Sequence, residues 1–189
     1  MKRTSMAATL VAAGMAAALL VASAAAESNI GLRAIEGRVG LADLEGDAGS
    51  TFIISAAADM GTLTPDLGLE FNIDFLTKSW DRGYDDTSER SITNLAFIAN
   101  LRYAFKTQST FHPFAFAGLG FNYWSSDVER SGGGDSEGFS DIEFGLDLGA
   151  GADFGSGDGM TPTVRAGFNT NGGWDYLFIS GGLKFPIGK

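Results

Sequence analysis

The 189-residue sequence has no cysteine and one histidine, His112. Disulfides, thiolate metal centres and histidine-rich metal sites are excluded, and no metal site or cofactor is expected. Basic residues are scarce: 13 Lys and Arg stand against 23 Asp and Glu, a formal net charge of −10. So acidic a chain lacks the cations that phosphate contacts require, and nucleic acid is not an expected partner. Beyond residue 26 no apolar run approaches the ~18 residues that mark a membrane helix.

The N-terminus is the exception. Lys2 and Arg3 precede an apolar run, Ala7–Val21, and both Ala22-Ser23-Ala24 and Ala24-Ala25-Ala26 fit the small-x-small cleavage rule. Residues 1–26 read as a cleaved secretory signal peptide, with cleavage after Ala24 or Ala26. The competing reading is an uncleaved anchor, disfavoured because the run is short, alanine-rich and followed at once by cleavage sites. Loss of Lys2 and Arg3 leaves the remaining domain, residues 27–189, two charge units more negative.

Alternation fills that domain. Ile142, Phe144, Leu146, Leu148, Ala150, Ala152 and Phe154 occupy every second position, separated by Glu143, Gly145, Asp147, Gly149, Gly151 and Asp153. Side chains on a strand change face at each residue, so this stretch has one apolar face and one of glycine and carboxylate. A helix would scatter the carboxylates, and each interior glycine would cost it about 1 kcal/mol. The same pattern predicts eight strands: 29–43, 51–60, 66–76, 92–105, 111–124, 141–154, 161–169 and 174–185. Long connections, 77–91 and 125–137, fall at one end with 44–50 and 170–173; short turns, 61–65, 106–110 and 155–160, fall at the other. Membrane barrels have that asymmetry, with long extracellular loops and short periplasmic turns. The expected fold is all-β: an eight-stranded antiparallel up-and-down transmembrane β-barrel.

In such a barrel the apolar face meets lipid and the polar face lines the lumen. The alternative is a soluble lipocalin-like binder with the apolar face inward. Its surface would then be glycine, Asn, Asp and Glu with few lysines, unlike the mixed charge of soluble surfaces. Aromatic girdles are expected at both interfaces: Trp80, Tyr123, Trp124, Trp174 and Tyr176 at the loop end, and Tyr103, Phe105, Phe154 and Phe185 at the turn end. Parity places Glu36, Asp59, Glu70, Asp74, Glu143, Asp147 and Asp153 inward with Arg38, Arg102, Arg165 and Lys184. These form either an internal salt-bridge network that plugs the barrel or a cation-preferring path. Eight strands leave an interior just wide enough for side chains, which favours the plug.

Enzymatic motifs are weak. Gly134-Asp135-Ser136-Glu137-Gly138 matches a nucleophile elbow but lies in a predicted loop, without the strand-to-helix context that motif needs. His112, the sole candidate base, lies at the turn end. A lipid-modifying barrel enzyme would have to use this His112, which is followed by proline and has no adjacent serine.

The leader, the stretch His112–Trp124 (HPFAFAGLGFNYW) and the ending Gly181-Gly182-Leu183-Lys184-Phe185 resemble the small outer-membrane β-barrel domains of the OmpA-like and opacity-protein type. The resemblance implies a bacterial outer-membrane location, a lipid bilayer with lipopolysaccharide as surroundings, and the barrel-assembly machinery as folding partner. Phe185 matches the terminal aromatic used as an assembly signal, although Pro186–Lys189 follow it. No periplasmic domain is expected after the barrel. Together these point to a non-enzymatic barrel serving envelope integrity and loop-mediated surface interaction, with Trp80, Arg82 and Tyr84 as contact residues for an unidentified extracellular ligand. The alternative is a narrow cation-preferring channel for small solutes.

Overall fold

The computed structural model describes residues 29–81, 88–130, 137–155, 159–172 and 174–187. The strands are β1 (Asn29–Leu44), β2 (Gly49–Thr64), β3 (Leu67–Asp81), β4 (Ser88–Ala104), β5 (Phe111–Arg130), β6 (Glu137–Phe154), β7 (Thr161–Thr170) and β8 (Tyr176–Pro186), with a 3-10 turn at Gly46–Ala48. They form one closed barrel in sequence order. Every neighbour is antiparallel, and β8 closes the ring on β1 from Ala34↔Pro186 to Leu44↔Tyr176.

Facing follows the period-two pattern. Val39, Phe52, Ile54, Leu119, Phe121, Phe144 and Ile179 are exposed, Phe52 at 77 %. Glu36, Arg38, Glu70, Asn72, Asp74, Asn94, Asn100, Asn122, Asp147, Arg165 and Asn169 are buried. This inverts a soluble protein and is stable only where the outer surface meets hydrocarbon. The soluble lipocalin-like alternative, with the apolar face inward, is thereby excluded.

Two boundary expectations are corrected. Segments 77–91 and 125–137 are mostly strand: β3 and β4 stay paired to Asp81↔Glu89, and β5 and β6 to Val128↔Glu137. Their serines, threonines and charges carry no apolar alternation, because above the lipid neither face has to be apolar. Likewise β2 continues through the expected turn at 61–65 to Thr64. It does so across an irregularity at Gly61, where φ is 82° and a Cβ would lie 2.2 Å from the Asn29 carbonyl oxygen. Only glycine adopts this conformation without strain.

Leu119 lies on the outer wall in the row Ala99–Leu119–Leu146. Leu119→Arg puts a cation into mid-membrane at a cost of about 2–4 kcal/mol. Denaturant titration of the protein folded in detergent or lipid should show that loss, and an unchanged midpoint would contradict the facing.

Candidate functional site

The lumen is built in layers. At the turn end the strands surround a cavity of about 420 Å³ lined by Arg33, Asp59, Arg102, His112, Asp153 and Lys184, among others. Arg102 Nη2 lies 2.6 Å from Asp153 Oδ2, and Lys184 Nζ lies 3.3 Å from Asp153 and 3.5 Å from Asp59. The Arg102 guanidinium stacks 3.7 Å over the Phe114 ring. His112 contacts the Gly155 carbonyl oxygen at 3.0 Å and Thr107 Oγ1 at 3.4 Å. Outside the strands Lys106 Nζ meets Asp66 at 2.9 Å, and this carboxylate holds the ammonium above the usual lysine range.

One layer in, Arg165 Nη2 donates to both Glu70 oxygens at 2.5 Å, with Glu36 at 3.9 Å. Arg38 donates to Glu36 at 2.8 Å and to Asn72 Oδ1 at 2.7 Å, and lies 3.9 Å from Asp74. Glu70 and Arg165 are 95 residues apart in sequence, so this bond crosses the closed barrel. Above it Asn100 Nδ2 donates to Asp147 Oδ2 at 3.0 Å.

Inward glycines make these reaches possible. Gly118 pairs with both Asn100 and Asp147, and a Cβ on Gly118 would sit 1.9 Å from Asn100 Oδ1. A Cβ on Gly149 or Gly151 would sit 2.4 Å from the Phe116 or Phe114 ring. The glycines of the alternating stretch are the floor over which neighbouring strands lay amides and rings. That explains why Phe114 and Phe116 face inward: their rings are buried between glycine below and the Arg102 and Arg165 guanidinium groups above.

The structure brings ten of the eleven predicted lumen charges into contact with another predicted charge or with a lumen amide. Glu143 stands apart from that network, beside Gly172 in the β7–β8 connection. The surface set fares differently. Arg82 and Tyr84 lie outside the described residues. Trp80 is on β3, half-buried, against an inner apolar cluster.

That cluster corrects the loop-end girdle. Trp124 and Tyr176 are buried inside the barrel with Ala42, Leu44, Ala48, Ile53, Leu76 and Ile92, and Trp80, Trp174 and Phe178 pack on them. The Arg90 guanidinium lies 5.7 Å from the Trp80 ring centre and 5.1 Å from that of Trp174. Together they form an apolar seal near the loop-end mouth. Parity carried the signal, since Trp80, Trp124 and Tyr176 share the inward phase of their strands; grouping them by position alone hid it. Tyr123 faces out at the loop end, as do Tyr103, Phe105, Phe154 and Phe185 at the turn end.

Beyond the seal the rim is uneven. The β2–β3 register ends at Ile53↔Leu76 and the β6–β7 register at Leu146↔Thr170, while the pairings from β3 to β6 continue. A four-stranded sheet therefore rises on one side of the mouth. Its β3 edge is covered near Thr77 and Lys78, where Thr51 Oγ1 donates to the Thr77 carbonyl at 2.6 Å and Lys78 Nζ to the Ser50 carbonyl at 2.9 Å. Among the described residues its β6 edge, from Glu137 to Gly145, has a strand partner only on the β5 side. Phe139, in the inward phase of β6 but above the low wall, is 68 % exposed.

The outer membrane protein beta-barrel domain profile matches residues 7–184. The chain belongs to that family. Its membership makes the exposed apolar belt a lipid-facing surface and the outer membrane of bacteria its setting. Among solved structures the chain is similar to Neisserial surface protein A (20 % identity, TM-score 0.61, covering 82 % of this chain and 97 % of that one). It is also similar to Ail, the attachment invasion locus protein of Yersinia pestis (11 % identity, TM-score 0.55, 82 % and 97 % covered). A third likeness is to a major outer membrane protein from Thermus thermophilus (14 % identity, TM-score 0.56, 81 % and 99 % covered). No curated protein matches the chain. At these identities the likenesses concern the fold.

Two outcomes follow from the lumen. Glu70→Ala leaves the Arg165 guanidinium buried without its closest carboxylate and should lower stability by about 3–5 kcal/mol in denaturant titration. In planar bilayers the wild-type barrel should show no stable large conductance. Trp80→Ala combined with Trp174→Ala, which empties the seal, should raise the frequency of open events; a large steady pore in the wild type would refute the seal.

Proposed function

We propose that this chain is a non-enzymatic outer-membrane barrel that supports envelope integrity and contacts external partners through the raised β3–β6 sheet. It reaches its place by way of the leader at residues 1–26 and the barrel-assembly machinery, with lipopolysaccharide around its upper half. The observation that carries the reading is the sheet itself. A strand edge partnered on one side and an exposed phenylalanine above an acidic mouth are features that soluble proteins conceal unless they bind something. Arg82 and Tyr84 follow the end of β3 in sequence, and Tyr and Arg are frequent binding anchors.

Charge narrows the partner. The loop-end segments hold many more Asp and Glu than Lys and Arg, including Asp43, Glu45, Asp85, Asp86, Asp127, Asp141 and Asp175. A basic protein surface complements that field and a sulfated polysaccharide is repelled by it. Ail has been crystallised with a heparin analogue, sucrose octasulfate; the acidic mouth here favours the opposite sign of partner.

The non-enzymatic reading rests on chemistry: His112 contacts a threonine hydroxyl and a carbonyl at the turn end, and neither is a nucleophile–base–acid arrangement. The channel reading is weaker than the plug because the lumen is crossed by ion pairs and capped by the seal.

Cells displaying the full chain should adhere to a surface coated with a basic protein, and adhesion should fall with salt. Phe139→Ser should reduce that binding about tenfold or more while leaving heat-modifiable gel mobility unchanged. Equal adhesion to a sulfated polysaccharide, or full adhesion by Phe139→Ser, would sink the surface-interaction reading.

A further inference from the structure

The upper part of β6 is a strand edge without a cover among the described residues. The β5–β6 register runs from Phe111↔Phe154 to Val128↔Glu137 without a bulge, whereas β7 leaves β6 at Leu146↔Thr170. A Cβ on Gly145 would sit 2.9 Å from the Thr170 carbonyl oxygen, so the end of β7 still shields that position. Above it residues 138–142 are all exposed. Proteins blunt such edges with proline, lysine, a bulge or a covering segment. β6 contains no proline, lysine or arginine. The other edge of the raised sheet, on β3, is covered by the bonds from Thr51 and Lys78.

The backbone shows which groups are open. In an antiparallel sheet the N–H and C=O of one residue point to the same neighbour, and successive residues alternate sides. The Ile142 N–H bonds the side chain of its own predecessor, Asp141, at 2.8 Å and not a carbonyl of β5. The Ile142 backbone therefore faces the open side, and Gly138 and Ser140 share that side. Along the inner face of the same stretch Phe139, Asp141 and Glu143 stand at alternate positions. Asp127, paired with Gly138, is exposed and adds to the negative field.

We propose that a partner binds here by strand addition: an extended basic segment of another protein lies along residues 138–142 and lengthens the raised sheet by one strand. The proposal rests on the surface-interaction reading and names its contact. Backbone hydrogen bonds from Gly138, Ser140 and Ile142 supply the attachment. Alternate side chains of the added strand supply the selection, because they meet Phe139, Asp141 and Glu143 in turn. Arginine at those positions pairs with the carboxylates and stacks on the Phe139 ring. A second copy of this chain would bring the same carboxylates against each other, which opposes self-pairing.

The probe is a short synthetic peptide that alternates arginine and valine, titrated against the full-length folded protein in a non-ionic detergent. Binding should saturate and weaken as salt rises. Isotope-labelled carbonyls of the peptide should move to the β-sheet position in infrared spectra on binding. The same peptide methylated on its backbone nitrogens keeps its charge and side chains but has no donors, and it should bind about tenfold more weakly or worse. Ser140→Pro removes an open-side N–H, a change that edge strands tolerate, and should weaken peptide binding by about tenfold or more with heat-modifiable gel mobility unchanged. If that variant fails to fold, Gly138→Pro, further from the membrane, takes its place. Equal binding of the methylated peptide, or full binding by the folded proline variant, overturns strand addition. So does a peptide that does not bind while cells still adhere to a basic protein; in these cases the surface-interaction reading stands. Parent cells that do not adhere to a basic protein overturn that reading and this inference together. Self-association of the full chain that Ser140→Pro abolishes overturns the basic partner in favour of a second copy.

Discussion

The backbone hydrogen bond in hydrocarbon is the constraint on which this structure depends. A peptide group facing lipid has no water to bond, so a strand that crosses the membrane needs partners on both sides. Closing β8 on β1 supplies the last of them, and every other feature follows from the closed ring. With eight strands the ring is narrow. Inward positions must therefore either fill the interior or vacate it for a neighbour.

The sequence answers that crowding by pairing glycine with bulk. Asn100 lies over Gly118, Phe116 over Gly149 and Phe114 over Gly151. The space so made lets guanidinium groups stack on rings and reach carboxylates across the barrel, as Arg165 reaches Glu70. Such buried ion pairs contribute less net stability than their short distances suggest, because both groups are desolvated. What they do is fix which strands face each other across the lumen.

Where the lipid ends the constraint lapses, and the barrel stops being uniform. β7 and β8 are short and stop near the rim, while β3 to β6 run on as a sheet whose edge strands have water on one side. Water can satisfy those edge groups, so the edge is tolerated, and it is available for pairing or contact. The inner apolar cluster beneath separates this sheet from the polar lumen. The proposed surface contact and the ion-pair network of the lumen thus lie at different ends of the same strands, and a change in one need not disturb the other.

Fold and facing were legible in the sequence, because a half-buried strand writes its two environments at alternate residues and lipid makes the contrast complete from Ile142 to Phe154. The inward list of acids and bases came from the same parity. Three matters were decided only by the folded chain. The strands outrun their apolar pattern, since above the membrane pairing no longer demands it, and Ser88–Arg90 or Ser125–Asp127 look like loop in one dimension. Trp80, Trp124 and Tyr176 belong to an interior seal and not a girdle, which depends on which residues meet across the ring. And the choice of ion-pair partners depends on the stagger of strands in a closed barrel, a relation between residues as distant as Glu70 and Arg165 that no local pattern encodes.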